Sequence, residues 1–284
     1  MLRIYFSLAS RLPLGILYLK SSVIAFMLQH IFRYRRQVIT ENLKNSFPEK
    51  SKDELEIIRR DYYKHMSDLM VESIKGFRIS KQDLKKRIRI VNLPDFNRYA
   101  DERRSVIVLL GHTSNWEWNG LMMGLTANYD AQVVYRPLHN QQMDKMIFDL
   151  RSRFGCKPIS EKNIARNLIA NKLEQTATAF IADQTPSNQQ AYRTTFLNQE
   201  TYFFNGAEKL ARKLNLPVLY ASTRKLKRGY YLYRFEIISE EPSSAPKNFI
   251  MQSFAEKLER DIKNQPSNWL WSHRRWKKQL LMKN

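Results

Sequence analysis

Ser105-Val-Ile-Val-Leu-Leu110, followed by Gly111-His-Thr-Ser-Asn-Trp-Glu117, is the stretch that decides the fold of this 284-residue chain. The first six residues are short, rich in β-branched side chains and uncharged, which is typical of a buried strand. From Asn115 to Tyr129 the apolar residues follow helical spacing instead. His112 therefore lies in a predicted turn between a strand and a helix.

His112 and Glu117 are five residues apart, which is about 140° around an ideal helix of about 3.6 residues per turn. The two side chains can meet only if His112 stays in the turn and Glu117 lies in the first helical turn. A neutral imidazole can remove a proton from a hydroxyl, while a carboxylate fixes its tautomer and stabilises the imidazolium. With one Cys and no Gly-x-Ser-x-Gly elbow, we predict direct attack by a substrate hydroxyl. A loop-capping His and a Glu that favours a helix N-terminus would show the same pattern.

Short apolar runs alternate with helical segments from residue 105 onward, after a largely helical stretch from 37 to 104 in which Ser51-Lys-Asp-Glu54 predicts a capping box. The predicted strands are 105–110, 131–135, 177–182, 217–221 and 230–238, and the predicted helices are 115–129, 141–154, 164–173 and 207–214. We therefore expect an α/β fold, with a mostly parallel central sheet flanked by helices and an N-terminal helical membrane anchor. Ligands bind beyond the carboxyl ends of such strands, where His112, Arg136 and Asp183 fall.

Residues 12–32 form an apolar stretch of 21 residues, about the length that crosses a hydrocarbon core. Lys20 lies near its middle, at a cost of about 2.5–3.5 kcal/mol for a centred charge, so a tilted span and an in-plane amphipathic anchor both remain open. Arg33-Tyr-Arg-Arg36 follows as a basic collar and predicts a cytoplasmic position for the remaining chain. We expect residues 1–36 to be the anchor and collar and 37–284 the catalytic domain.

The formal net charge is +21, from 48 Lys plus Arg against 27 Asp plus Glu. This balance indicates an anionic partner, and its sign fits nucleic acid and an anionic membrane equally. The single Cys156 excludes an internal disulfide and fits a reducing compartment.

The heptad 111–117 resembles the His-x-x-x-x-Asp/Glu motif of the glycerolipid acyltransferase superfamily, and specifically of the late acyltransferases of lipid A biosynthesis. Four further blocks are similar to that family: Tyr135-Arg-Pro137, Asp183-Gln184, Gly206 to Arg212, and Pro266-Ser-Asn-Trp-Leu-Trp-Ser-His-Arg-Arg-Trp276. The sequence departs from the family pattern at Ser114, where a glycine is usual, and at Leu197-Asn198.

The resemblance implies an enzyme of the bacterial inner membrane, on its cytoplasmic face, that transfers a fatty acyl group from acyl-acyl carrier protein to a hydroxyl of a lipid A precursor. His112 and Glu117 would form the general base, and Arg136 would contact the substrate or the oxyanion. We assign Asn115, Asn140, Asp183 and Gln184 to substrate contact. Asp183 would orient Arg136, bind a sugar hydroxyl or cap the next turn. No metal-ligand spacing is present, and the mechanism requires neither metal nor cofactor.

Trp269, Trp271 and Trp276 lie among Arg274, Arg275, Lys277 and Lys278. This composition predicts an amphipathic cluster with its indoles at the headgroup level of the membrane. His273 is interpreted as structural or close to the substrate.

Other readings stay open on sequence alone. The shared motif also fits an acyltransferase for a glycerophospholipid or an aminoacyl lipid. A basic, membrane-tethered nucleic-acid-binding protein fits the charge, but the basic residues are dispersed and no nucleic-acid module is recognised, so no nucleic-acid partner is expected.

Overall fold

The computed structural model describes residues 2–171, 174–186 and 191–276, with side chains from residue 5 onward. The helices are α1 (Leu2–Ala9), α2 (Leu14–Phe26), α3 (Arg36–Ser46), α4 (Lys52–Gly76), α5 (Lys81–Arg87), α6 (Leu93–Asp101), α7 (Trp116–Thr126), α8 (Gln141–Arg151), α9 (Ile164–Ala170), α10 (Gly206–Leu214) and α11 (Phe249–Asn264). Leu173, Lys277 and Lys278, which belong to predicted elements, lie outside the described residues.

The strands are β1 (Ile88–Ile90), β2 (Val106–Leu110), β3 (Asp130–Tyr135), β4 (Lys157–Ser160), β5 (Thr176–Ile181), β6 (Tyr192–Phe196), β7 (Gln199–Phe203), β8 (Val218–Lys227) and β9 (Tyr230–Ser239). Seven of them form one sheet in the order β1-β9-β8-β2-β5-β3-β4, and β6 pairs with β7 in a separate hairpin. Within the main sheet β8 and β9 are antiparallel, and the other described pairings are parallel. The predicted α/β class and mostly parallel sheet are confirmed.

β2 lies near the middle of the sheet and is buried along its whole length. Val106 and Val108 pack in the core on the α7 side, while Ile107 and Leu109 pack on the α11 side. Because both faces of a parallel sheet are covered by helices, every position of the strand is apolar and no alternation is seen. The continuous run 106–110 therefore places β2 at the centre of the domain.

The amino end of α4 contains the predicted capping box. The Ser51 side chain accepts the Glu54 backbone N–H, and the Glu54 carboxylate accepts the Ser51 N–H at 2.8 Å. These contacts satisfy two of the donors that a helix N-terminus leaves unpaired.

α2 packs along α4 and continues as one turn of π-helix, Met27–Ile31. The Ser21 hydroxyl donates to the Asp68 carboxylate at 2.6 Å, and the Tyr18 hydroxyl donates to Glu72 at 2.8 Å. The opposite face of α2 leaves apolar side chains exposed: Ile16, Leu19, Val23 and Phe26. By length and composition, residues 14–31 are sufficient to cross a membrane, although the helix also has a protein-facing side.

The tryptophan cluster differs from the prediction. Trp269, Trp271 and Trp276 are buried, and they join the core between α11 and the β6–β7 hairpin. The expected place at the headgroup level was wrong because local composition does not show which face of the fold a segment covers. Arg275 is also buried, and its guanidinium stacks on Phe203.

Leu197 and Asn198 form the two-residue turn of the β6–β7 hairpin, and both have positive φ angles, +51° and +60°. This is the backbone of a tight hairpin turn. Leu197 donates its N–H to Glu259, and the Asn198 side chain donates to the Ser46 carbonyl. The departure from the family pattern therefore lies in a packed turn.

Candidate active site

The register of β2 and β5 brings two polar residues together. Leu110 pairs with Ile181, and the Ala182 N–H continues the pairing by donating to the Leu110 carbonyl at 3.0 Å. His112 and Asp183 each come two residues after that register pair. Since neighbouring strands are about 4.8 Å apart, the two side chains meet at the carboxyl edge of the sheet.

Asp183 holds His112 by both its ring and its backbone. One carboxylate oxygen, Oδ1, lies 2.6 Å from the His112 Nδ1, and the other, Oδ2, accepts the His112 backbone N–H at 2.8 Å. The indole N–H of Trp269 also donates to Oδ2 at 2.8 Å. Burial alone would raise the pKa of Asp183, but the charge and hydrogen bonds of His112 outweigh it and keep that pKa well below its usual range. An ionised Asp183 directs the Nδ1 proton toward itself, leaving Nε2 free to accept a proton.

This contact corrects two predictions. The carboxylate recorded on the His112 ring, among the described residues, belongs to Asp183 and not to Glu117. Asp183 is 2% exposed, and among the described residues its side chain contacts His112 and Trp269, not Arg136. The sequence named both residues, but only the strand order places them side by side.

Glu117 pairs with Arg151 of α8. The guanidinium donates from Nε at 2.9 Å and from Nη2 at 2.6 Å to the two carboxylate oxygens. The Trp116 indole N–H reaches the same carboxylate at 3.2 Å, and its ring meets the His112 ring edge-on at 4.9 Å. Helical geometry explains the difference from prediction, because the first turn of α7 directs Glu117 toward α8. The Glu117–Arg151 pair thus lies beside His112, across Trp116.

The turn at Ser114 has the conformation that a glycine favours, with φ at +52°. Its N–H donates to the Asn268 carbonyl at 2.8 Å, and its hydroxyl donates to the Thr223 carbonyl at 3.2 Å. These contacts hold a serine in a left-handed conformation that is otherwise uncommon for it. The substitution from the family glycine leaves the turn intact.

Asn115 is fully buried and caps α7, where its side-chain oxygen accepts the Trp118 N–H at 2.9 Å. Its amide donates to the buried Glu72 at 2.6 Å, and Tyr231 donates to the same oxygen. Burial raises the pKa of Glu72. The prediction that Asn115 contacts substrate is replaced by a structural role, because both polar atoms of its side chain are used inside the protein.

The remaining predicted substrate residues lie on three loops. Gln184 is exposed, with its side-chain nitrogen 3.5 Å from the His112 Nε2. Arg136 is 77% exposed and its Nε is 3.3 Å from Glu161, while Asn140 is the N-cap of α8 and accepts the Met143 N–H. Of the three, the structure shows only Gln184 in contact with the imidazole. Substrate roles for Arg136 and Asn140 stay predictions.

Sequence reasoning missed Arg151 and the role of Trp269. Arg151 lies 34 residues beyond Glu117, inside a predicted helix whose basic residues looked like ordinary surface charges. Trp269 was noticed only as part of an interfacial cluster. No local pattern points to either contact, because each depends on how α8 and the C-terminal segment pack against the edge of the sheet.

Comparison with known proteins adds the decisive observation. The model of a family described as bacterial lipid A biosynthesis acyltransferase matches residues 3–278. The chain belongs to this family. The lipid A biosynthesis palmitoleoyltransferase of Escherichia coli (strain K12) is 24% identical over 268 residues, covering 94% of this chain and 87% of the relative. The lipid A biosynthesis acyltransferase of Shigella flexneri gives the same figures.

Membership in the lipid A biosynthesis acyltransferase family confirms the predicted resemblance and makes the chain an acyltransferase that acts in lipid A biosynthesis. The geometry provides one group of the kind that acyl transfer to a hydroxyl requires. The Nδ1 of the His112 ring lies against a buried carboxylate and its Nε2 lies near an exposed side chain, an arrangement suited to a general base.

Proposed function

We propose that this acyltransferase moves a fatty acyl chain from acyl-acyl carrier protein to a hydroxyl group of a lipid A precursor. The observation that carries the proposal is the His112–Asp183 contact at 2.6 Å in a chain of this family. His112 Nε2 removes the proton from the acceptor hydroxyl, whose oxygen attacks the thioester carbonyl. The tetrahedral intermediate then collapses, the carrier thiolate leaves, and the imidazolium returns the proton to it.

In this proposal Arg151, held by Glu117, stabilises the negative charge that develops on the oxyanion. Two of the five guanidinium N–H groups are held by the Glu117 carboxylate, which fixes the plane of the guanidinium and leaves the others for the oxyanion or a substrate phosphate. Burial alone would lower the pKa of Arg151, but the charge and hydrogen bonds of Glu117 outweigh burial and raise that pKa. The guanidinium therefore keeps its positive charge. Arg136, with its exposed side chain, is a second candidate for a phosphate of the acceptor.

We further propose that residues 1–36 attach the catalytic domain, 37–284, to the cytoplasmic face of the bacterial inner membrane. The structure favours an in-plane anchor over a span. α2 buries Leu17, Ser21 and Ala25 against α4, and crossing the bilayer would carry the charged surface of α4 into hydrocarbon. The exposed apolar face of α2 can instead enter the interface, and the net charge of +21 attracts an anionic leaflet.

A transfer assay tests the function. Purified protein in detergent receives labelled acyl-acyl carrier protein or acyl-coenzyme A as donor, together with a lipid A precursor, a glycerophospholipid or an aminoacyl lipid as acceptor. We expect transfer from the carrier protein to the lipid A precursor, and loss of transfer in His112→Ala. Transfer to a different acceptor, with the precursor unmodified, would overturn the proposed substrate but keep the reaction class.

A further inference from the structure

A cavity of about 520 Å³ lies between the apolar N-terminal helix and α4. The end of α2, the π-helical turn, the turn end of the β8–β9 hairpin and the turn at residues 266–268 complete its walls. Its volume is within the range of about 300–1,000 Å³ that holds small-molecule ligands. Its described lining residues do not include His112, Glu117 or Asp183, so it is separate from the proposed site of acyl transfer.

The walls of this cavity carry excess positive charge. Four of the lining side chains are cationic and two are carboxylates: Arg60, Lys64, Lys225, Arg228, Asp61 and Asp68. The two carboxylates neutralise part of this charge through ion pairs. Asp61 lies 3.1 Å from Lys64, and Asp68 lies 2.6 Å from Arg228 and 3.4 Å from Lys225. Two positive charges are left over, which suits one phosphate ester.

His65 also lines the cavity and lacks one hydrogen bond. It is 5% exposed, and its Nδ1 has no partner among the described residues. Burial lowers the pKa of His65 to about 3, so the ring is neutral. A buried ring nitrogen without a partner is costly unless a ligand or water hydrogen-bonds to it.

The cavity opens beside the apolar face of α2. Phe26 belongs both to its lining and to the exposed apolar side chains of that helix. The π-helical turn, closed by the Phe32 N–H donating to the Met27 carbonyl at 2.9 Å, supplies Gln29 and His30 to the same wall. π-helical turns are rare and occur frequently at functional sites. An occupant with an anionic head and an apolar tail would match both surfaces.

We propose that this headgroup cavity binds the phosphate of a lipid headgroup that also carries a hydroxyl group. The cationic side chains take the phosphate, and the hydroxyl forms a hydrogen bond with the unpaired Nδ1 of His65. Asn268 lines the same cavity, and its carbonyl accepts the Ser114 N–H two residues after His112. A bound headgroup therefore stabilises the wall against which the catalytic turn rests.

Flotation with phosphatidylcholine vesicles containing phosphatidylglycerol tests the charge. The cavity variant is Arg60→Gln/Lys64→Gln. The matched control is Lys157→Gln/Arg193→Gln, which also removes two cations from exposed ion pairs: the Lys157 and Lys64 side chains are 55% and 57% exposed, and Arg193 and Arg60 are 61% and 51% exposed. At about 1 kcal/mol for each cation near the leaflet, vesicle binding by the cavity variant falls about 25-fold, and the control falls less than about threefold. Equal losses in the two variants would overturn the proposal.

Phosphatidic acid tests the hydroxyl. Its headgroup carries at least as much charge as phosphatidylglycerol but has no hydroxyl beside the phosphate, so non-specific attraction favours it. We expect the wild-type protein to prefer phosphatidylglycerol, and His65→Phe, checked for folding by its thermal melt, to lose that preference. A wild-type preference for phosphatidic acid refutes the role of His65.

Enzyme kinetics in non-ionic detergent without phospholipid distinguish the phosphate of the lipid A precursor from that of a bulk phospholipid. This experiment rests on the proposed function. A higher KM for the lipid A precursor at unchanged kcat in Arg60→Gln/Lys64→Gln shows that the acceptor's own phosphate occupies the cavity. An unchanged KM together with weakened flotation assigns the cavity to a bulk phospholipid. Flotation needs no turnover, so an inactive wild-type protein would refute the proposed function without removing this test.

Discussion

Asp183→Asn is the sharpest test of the site, because the two carboxylate oxygens have different partners. Oδ2 accepts two N–H groups, from the His112 backbone and the Trp269 indole, whereas the partner of Oδ1 among the described residues is the His112 Nδ1. An asparagine has one oxygen, which will replace Oδ2 and satisfy both donors. Its NH₂ group then points at Nδ1 and forces the ring proton onto Nε2. The imidazole that results cannot accept a proton from the acceptor hydroxyl.

The expected cost is therefore the whole contribution of a correctly oriented general base. Comparable loss of the correct histidine tautomer lowers turnover about 10⁴-fold, and general-base catalysis contributes about 10²–10⁴. We expect kcat to fall about 10³- to 10⁴-fold, which raises the barrier by about 4–5.5 kcal/mol. KM for the donor should change little, since Asp183 is buried behind the imidazole.

Acyl transfer from labelled carrier protein, followed by mass spectrometry of the product, measures this effect. Glu117→Gln is the companion variant: it weakens the hold on Arg151 but leaves the ring tautomer in place, so its kcat should fall by no more than about 10²–10³. Thermal melts establish that both variants fold. If Asp183→Asn keeps more than a tenth of wild-type kcat, or if Glu117→Gln is the more damaged of the two, the orientation of His112 by Asp183 is refuted.

Four other predictions follow from single contacts. A Cβ at position 120 would meet no described atom within 4 Å beyond its own helix backbone, so Gly120→Ala should raise the unfolding free energy by about 0.5–1 kcal/mol. On the same helix a Cβ at position 124 would lie 2.7 Å from backbone atoms of Phe154 and Cys156, so Gly124→Ala should lower the unfolding free energy. Equal unfolding free energies for the two variants in urea titrations would contradict this. Ser51→Ala removes half of the capping box and should cost about 1 kcal/mol, measured in the same way against Ser51→Thr. Burial raises the pKa of Cys156 to about 12, so native protein should resist iodoacetamide at pH 8 and react in urea; rapid native alkylation would show that the thiol is accessible.

The pKa of Asp183 adds a dependence of stability on pH. Its folded-state pKa lies below the usual value of about 3.9, so the stabilising contribution is present above that value and is lost as the pH falls below it. Asp183→Asn has no such group. Its unfolding free energy should therefore fall less steeply than that of the wild type between about pH 4 and pH 2, as measured by urea titration, and parallel slopes would contradict the assignment.

The central part of the fold was predictable because its signals are local. Val106–Leu110, Asp130–Tyr135 and Thr176–Ile181 are apolar runs between helical segments, and each formed a strand within a residue or two of its predicted bounds. β1 and β4, of three and four residues, are short edge strands with charged or proline residues, so their sequences carry little strand signal. The β6–β7 hairpin was missed because its turn, Leu197-Asn198, lacks the glycine that usually marks one.

The site was only partly predictable, because its central contact depends on strand order. His112 was identified from a motif, and Asp183 was placed at the correct edge of the sheet. Nothing in the sequence states that β5 is the neighbour of β2, and β3 would have been an equally good guess from chain order alone. With β3 beside β2, Arg136 would have come next to His112. The actual register, Leu110 with Ile181, gives that place to Asp183.

Composition predicted the wrong position for Trp269, yet its side chain contacts the proposed active site. Its surroundings are basic and aromatic, which favours an interfacial position, yet its ring is buried and its N–H donates to Asp183. Trp269→Phe keeps an aromatic ring in the core, although a smaller one, and removes one of the three donors that keep Asp183 ionised. The pKa of Asp183 should then rise but stay below neutrality, so turnover at pH 7 should fall less than about tenfold, far less than in Asp183→Asn. A loss in Trp269→Phe as large as in Asp183→Asn, from protein with a wild-type melt, would mean that the indole itself takes part in the reaction.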